Sequence, residues 1–173
     1  LRSKFVAQAR KYIGIPYGQR YHKPGTPDHN APLFLDCCAL VRQVMMDLQD
    51  DFGFAIGRWN QGYQYDTLPI KVTQEQLKEG DLIFVEGVYH GKKRQQKHNI
   101  VHVEISLGPS GRTIGSRIRE GHIQEFASYE YTSHRYSISG YHFRSLEPWL
   151  NGECKSHCKE HPWISLCDAP DKR

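Results

Sequence analysis

No stretch of the 173 residues stays apolar for the roughly 20 positions that a bilayer-spanning helix needs. No apolar segment opens the chain as a secretory signal would, and no membrane partner is expected. Internal repeats and low-complexity tracts are absent too, which excludes solenoids and linker-like chains. The first residue is Leu1 rather than Met, as in a processed form or a domain cut from something longer. A targeting signal would then lie outside it, and localisation stays open.

Acid is missing from the run Gly91–His98, GKKRQQKH, which holds four of the Lys/Arg residues of a chain with net charge +4. A nucleic-acid groove would interleave aromatics with such residues or sit in a recognisable module. Only Tyr89 lies nearby, so no nucleic-acid partner is expected. The run reads as a solvated basic loop or as an electrostatic contact for an acidic partner.

The length suits one domain with a real core. A hydrophobic share of 38% and a charged share of 24% place the chain among ordinary globular proteins. The five cysteines form two groups: Cys37 and Cys38, then Cys154, Cys158 and Cys167. An odd count leaves at least one thiol outside any intramolecular disulfide, and adjacent cysteines rarely bridge each other. The tail spacing C-x3-C, with His157 and His161 close by, is not a standard zinc knuckle. A disulfide-tied extension, free thiols and a metal site all remain readings of that tail.

Helical spacing of Phe5, Val6, Ala9, Tyr12 and Ile13 predicts a helix over 1–13, stopped by Gly14. The segment from Gly14 to Pro32 is rich in Gly, Pro, Asn and Asp and reads as a loop. A second helix is expected after Asp36, with Leu40, Val41, Val44, Met45 and Leu48 on one face and Gly53 beyond its end. Asp is a preferred N-cap, so Cys37 falls at the first helical position. The polar, aromatic stretch GRWNQGYQY reads as a connection, followed by a short helix around Gln74–Lys78. Strands are expected at 81–86, 100–107, 112–118, 122–126 and 141–146. Helices first and strands later argue for an α+β domain with a mostly antiparallel sheet of five or six strands.

On the strand 100–107, Val101, Val103, Ile105 and Leu107 share one face, and His102, Glu104 and Ser106 share the other. The apolar face suits a core. The opposite face gathers an imidazole, a carboxylate and a hydroxyl. A thiol at a helix start is stabilised as thiolate by unsatisfied amides and the helix dipole, and an imidazolium adds to this. Cys37 has the first condition, and His102 is the candidate for the second.

Four motifs in order carry a resemblance. Gly14-Ile-Pro-Tyr17, Asp36-Cys-Cys-Ala-Leu-Val41, Gly80-Asp-Leu-Ile-Phe84 and His102-Val-Glu-Ile-Ser-Leu-Gly108 resemble the successive motifs of NlpC-type cell-wall endopeptidases, small papain-like cysteine peptidases. The resemblance covers residues 1–145 and implies the papain-like NlpC-type fold, with N-terminal helices packed on the sheet. It implies Cys37 as nucleophile, His102 as its base, and the Cys37 backbone amide as oxyanion donor. Tyr17 matches a tyrosine near the thiol, and Asp36 an aspartate that meets a substrate amine. Cys38 stands where the family usually has Ser.

The family's third polar residue, which orients the histidine, falls here near Gly115. Where the family has Gly on the preceding strand, this chain has Glu104, so the two positions look exchanged. Glu104 is therefore the candidate orienter, about 6–7 Å from His102 at the backbone. Replacing it by Gln is expected to slow turnover with little effect on folding stability. Arg117, on the strand of Gly115, is a candidate for binding a substrate carboxylate. The insertion Val88–Asn99 is expected to rim the cleft.

The function the resemblance implies is a hydrolase that cleaves an amide or isopeptide bond in a cell-wall-like or γ-glutamyl peptide through a thioester, with no cofactor and no metal. Acyl transfer on the same site and a degenerate, non-catalytic peptide-binding module are the rival readings. The expected division is a catalytic domain over 1–147 and a Cys/His-containing extension over 148–173.

Overall fold

The computed structural model describes residues 1–18, 34–57, 60–91 and 95–156. Helix α1 (Arg2–Arg10) buries Phe5, Val6 and Ala9. It ends earlier than its apolar periodicity suggests, giving way to turns over 11–14 and to Gly14 at φ 94°. Helix α2 (Cys37–Asp47) begins where the Asp36 cap predicts, with the carboxylate accepting from Ala39 N at 2.9 Å. Its inner face, Leu40, Val41, Val44 and Met45, is at most 1% exposed. A short helix α3 (Gln49–Phe52) closes on Gly53 in the left-handed region, the conformation glycine adopts without a Cβ penalty.

The stretch GRWNQGYQY corrects the sequence reading: it contains helix α4 (Gln61–Asp66), capped by Asn60 onto Gly62 N. A Gln- and Tyr-rich turn around a glycine has no apolar period to announce it. Tyr63 and Gln64 are nevertheless fully buried. The helix expected around Gln74–Lys78 is one 3₁₀ turn, Gln74–Gln76, held by a Thr73/Gln76 capping box.

Five strands follow: β1 (Glu79–Tyr89), β2 (Ile100–Leu107), β3 (Thr113–Ser116), β4 (Ile123–Phe126) and β5 (Tyr136–Arg144). They form one antiparallel sheet in the order β4-β3-β2-β1-β5. β1 and β5 run longer than expected, because each pairs along most of its length with the other. The helices cover the side carrying Phe84, Val103 and Ile105. The other side carries Ile83 and Val85 and is covered by Leu77, Tyr129, Tyr136 and the aromatics beside them. A central strand shielded on both sides must bury its polar face too, and His102, Glu104 and Ser106 are all at most 4% exposed. A four-residue helix α5 (Glu147–Leu150) seats Trp149 in the helix-side core, with Cys154 behind it. Trp149 Nε1 donates to Thr67 Oγ1 at 3.0 Å, satisfying the one polar atom of that ring. No described helix is long and apolar enough to cross a membrane. Of the tail, His157, Cys158, His161 and Cys167 lie outside the described residues.

Candidate active site

Asp36 fixes the start of α2, and that start sets Cys37 and Cys38 in the first helical turn. The Cys38 thiol lies 3.4 Å from Asp36 Oδ1, and its single proton is shared between that oxygen and the Cys37 sulfur. From the sheet comes His102, next to a register shift. Val85 of β1 faces His102 while Glu86 faces Ile100, so Val101 is an extra residue in β2. A bulge of this kind re-aims the neighbouring side chain, and it sits beside His102, which lines the same cleft as Cys37.

Behind His102 the geometry is dense. His102 Nε2 donates to Glu104 Oε1 at 2.9 Å, and both side chains are about 5% exposed or less. Arg117 grips the same carboxylate with two nitrogens, Nε to Oε1 at 2.6 Å and Nη2 to Oε2 at 3.0 Å. Thr113 Oγ1 donates to Oε2 at 2.5 Å, and Arg117 Nη2 also reaches Ser128 O at 2.7 Å. The guanidinium is sandwiched between Phe126, 3.7 Å from its carbon, and Tyr131, 4.2 Å away. Tyr131 also meets the His102 ring edge-on, with centroids 5.5 Å apart.

Gly115 lies against Glu104. A Cβ built there would stand 2.9 Å from the Glu104 Cγ, Cδ and Oε1. The space and the carboxylate are thus paired across β2 and β3, as the exchange of positions suggests. Arg117 corrects the reading that gave it a substrate carboxylate: it points inward, and its carboxylate is Glu104. The same contact corrects the expectation that Glu104→Gln leaves stability nearly unchanged, because a neutral amide would leave a buried guanidinium without its counter-charge.

The charges follow from these contacts. Cys37 is held well below an ordinary thiol, first by the hydrogen bond from Cys38. Burial opposes this; the charge and hydrogen bond of His102 and the Val103 backbone N–H reinforce it. For His102, burial alone would favour the neutral ring, but Cys37 and Glu104 outweigh it and raise it to about 9. Burial would raise Glu104, yet the bonds from His102 and Arg117 bring it down to about 2. Asp36 moves up to about 6, through burial and then the charge of Cys37. The thiol, the ring and the carboxylate therefore suit a thiolate–imidazolium–carboxylate line at neutral pH.

A cleft of about 430 Å³ opens over this line, bounded by Tyr17, Asp36, Cys37 and His102 together with Gln61, Tyr89, Ile118, Arg135 and Tyr136. All five sequence candidates are thus in one neighbourhood: Tyr17, Asp36, Cys37 and His102 on the cleft wall, Glu104 behind His102. Gln61, Arg135 and Tyr136 escaped the sequence reading. Gln61 donates to Ile100 O at 3.0 Å, tying α4 to the start of the His102 strand. Its only sequence signal was Asn60, a cap preceding it. Tyr89 belongs to the insertion expected to rim the cleft, and it does line the wall.

No protein-family model matches this sequence, and no curated protein matches it. Solved structures do resemble it. RipB, a peptidoglycan hydrolase from Mycobacterium tuberculosis, superposes with a TM-score of 0.54 at 19% identity, over 84% of this chain and 64% of RipB. An NLP/P60-family lipoprotein-like protein of Staphylococcus aureus gives 0.52 at 21% identity, over 82% of this chain. This chain spans only 40% of that structure. RipD from Mycobacterium tuberculosis, described as a non-catalytic NlpC/p60 domain protein adapted to peptidoglycan binding, gives 0.54 at 15% identity, over 84% of this chain and 96% of RipD. A hydrolase and a non-catalytic binder thus share this architecture. The helices, the antiparallel sheet and these superpositions together give the chain the papain-like fold of the NlpC/P60 proteins.

Proposed function

We propose that the chain is a cysteine hydrolase that cleaves an amide or isopeptide bond in a peptide, with Cys37 as nucleophile, His102 as general acid and base, and Glu104 as the group that orients His102. The observation that carries this reading is that Cys37 and His102 line one cleft, with the far nitrogen of His102 held by a Glu104 carboxylate locked by Arg117 and Thr113. A merely structural histidine would need no such support on its far side.

In this reading the Cys37 thiolate adds to the substrate carbonyl. The developing oxyanion accepts from the Cys37 backbone N–H at the helix start. His102 gives its proton to the leaving amine, the C–N bond breaks and a thioester remains. Water then loses a proton to His102 as it attacks, and the acid product leaves with the thiolate restored. Glu104 stays ionised throughout and holds the ring by Nε2, so that Nδ1 is the nitrogen that works.

Asp36 and Arg135 on the same wall suggest a peptide with a free amine and a carboxylate near the scissile bond. Tyr17 would pack over the substrate beside the thiol. That polarity fits γ-glutamyl and cell-wall-type peptides. RipD supports a second reading, a peptide-binding module without turnover, because it has this fold and is non-catalytic. The test is two-part. Purified protein is labelled with a peptidyl electrophile, and its action on γ-glutamyl peptides and cell-wall fragments is followed by product mass. Preferential labelling of Cys37 with hydrolysis supports the hydrolase. Labelling of Cys37 no faster than of Cys154, with no product, would leave the binding module. Products carrying an added amine would mean acyl transfer.

A further inference from the structure

Cys38 is the residue that the hydrolase reading does not require. It puts a second soft donor within the first turn of α2, where the NlpC-type pattern has Ser. One ligand atom each from Asp36, Cys37 and Cys38 lies within 4.8 Å of the other two. Three donors at this spacing can converge on one ion with bonds of about 2.0–2.3 Å. They also come ready-made, since consecutive residues at a capped helix start need no loop to close around the metal. The capping bond to Ala39 N holds Asp36 Oδ1.

Two thiolates and a carboxylate select zinc-like ions over magnesium or calcium, which prefer oxygen ligands alone. The cleft over Cys37, Asp36 and His102 provides an entry path.

The geometry points to a binding site for a thiophilic divalent cation, of the zinc class, built from Asp36, Cys37 and Cys38, whose occupation blocks the Cys37 nucleophile. The site is inhibitory and reversible: metal and substrate compete for one sulfur. Cys38 is what distinguishes it from an ordinary thiol nucleophile, which offers a metal only one soft ligand.

The experiment uses the full chain, reduced and stripped of metal with a chelator. Because Cys158, Cys167, His157 and His161 in the tail offer donors of their own, all arms carry Cys158→Ser and Cys167→Ser. Cadmium is titrated in and the ultraviolet thiolate-to-cadmium band recorded. In parallel, zinc is tested for protection of Cys37 against iodoacetamide, each variant being compared with its own metal-free rate. The expected result is a band for two thiolates at one equivalent of cadmium, and full protection by zinc. Cys38→Ser should reduce the band to that of one thiolate and weaken protection by at least about tenfold. Cys38→Ala serves if the serine variant fails to fold, with thermal melting as the check. An equal band and equal protection with and without the Cys38 thiol would overturn the proposal. So would the absence of a cadmium band in the parent protein.

Discussion

Cys37 and Cys154 are both buried thiols, 8% and 1% exposed, and their chemistry runs in opposite directions. Cys154 sits behind Trp149 with its sulfur 3.5 Å from the Tyr63 hydroxyl. Burial pushes it up to about 11, and hydrogen bonds from Tyr63 and Thr67 only moderate this. Cys37 suffers the same loss of water but meets a donating thiol, an imidazolium and a backbone N–H. Low exposure does not decide whether a thiol is inert. What decides is whether the groups that replace water donate to sulfur and carry positive charge. Sequence position follows the same line: one cysteine opens a capped helix, the other follows a core tryptophan.

The sharpest way to break the contrast is to remove each sulfur in turn. Cys37→Ala should lower turnover by roughly 10⁴-fold or more and abolish electrophile labelling, while melting close to the parent. Cys154→Ser should leave labelling unchanged. Loss of activity in the second variant alone would reverse the assignment. Second in size is His102→Ala, expected to cost about 10²- to 10⁴-fold in turnover. It should also shift the pH profile of Cys37 alkylation. In the parent the thiolate is present below the free-thiol value of about 8.5. Alkylation at Cys37 should therefore already be fast near neutral pH, and should need higher pH in the variant. An unshifted parent profile would remove the ion pair.

Glu104→Gln comes third, slowing turnover by roughly 10- to 100-fold through a poorly held ring. Its cost in stability is about 3–5 kcal/mol, since Arg117 is left buried without its partner. The pH dependence has a definite sign. Glu104 is depressed to about 2 in the fold, against about 4.3 in an unfolded chain. Its contribution to stability is complete above about pH 5 and is lost as pH falls toward 2. Acid melting of the Gln variant should lack that component, which differential scanning calorimetry against pH would reveal. Gly115→Ala should cost about 1–3 kcal/mol by driving a methyl into Glu104. Slower turnover in that variant, with the nucleophile still labelled, would tie the glycine to the carboxylate. The smallest effect is the stability change in Cys154→Ser, about 1 kcal/mol, read from thermal melting.

Much of this was legible in the chain because it rests on short-range rules. The Asp36 cap, the helix beginning at Cys37 and the period-two pattern from His102 onward follow from local stereochemistry, whereas Val101, expected on the face of Val103, packs with Val85 on the other side because of the bulge. The pairing of Glu104 with Gly115 required only that two consecutive strands be antiparallel, together with the resemblance that marked those positions. What was hidden depended on partners far along the chain. Arg117 finds Glu104, Phe126 and Tyr131, and nothing in RTIGSRI reveals that inward turn. Helix α4 is held by tertiary burial of Tyr63 and Gln64 rather than by propensity. The bulge at Val101 is a mismatch between β1 and β2 and has no signature on either strand alone.

His102 and Glu104 are neighbours on one strand, bonded across two residues of sequence. Where the orienting group comes from an adjacent strand, any slippage between strands would spoil its aim. Here both members ride on the same backbone segment, so shear of β2 against β3 carries them together. The acid–base half of the site is a low-contact-order unit, one strand held by Thr113 and Arg117 of the segment that follows it. Cys37 arrives from a helix far earlier in the chain, at the full entropic cost of a long loop. A folding intermediate with the sheet formed and α2 undocked would therefore hold a finished imidazole–carboxylate pair and no nucleophile. The last step of folding would then also be the step that switches on the chemistry.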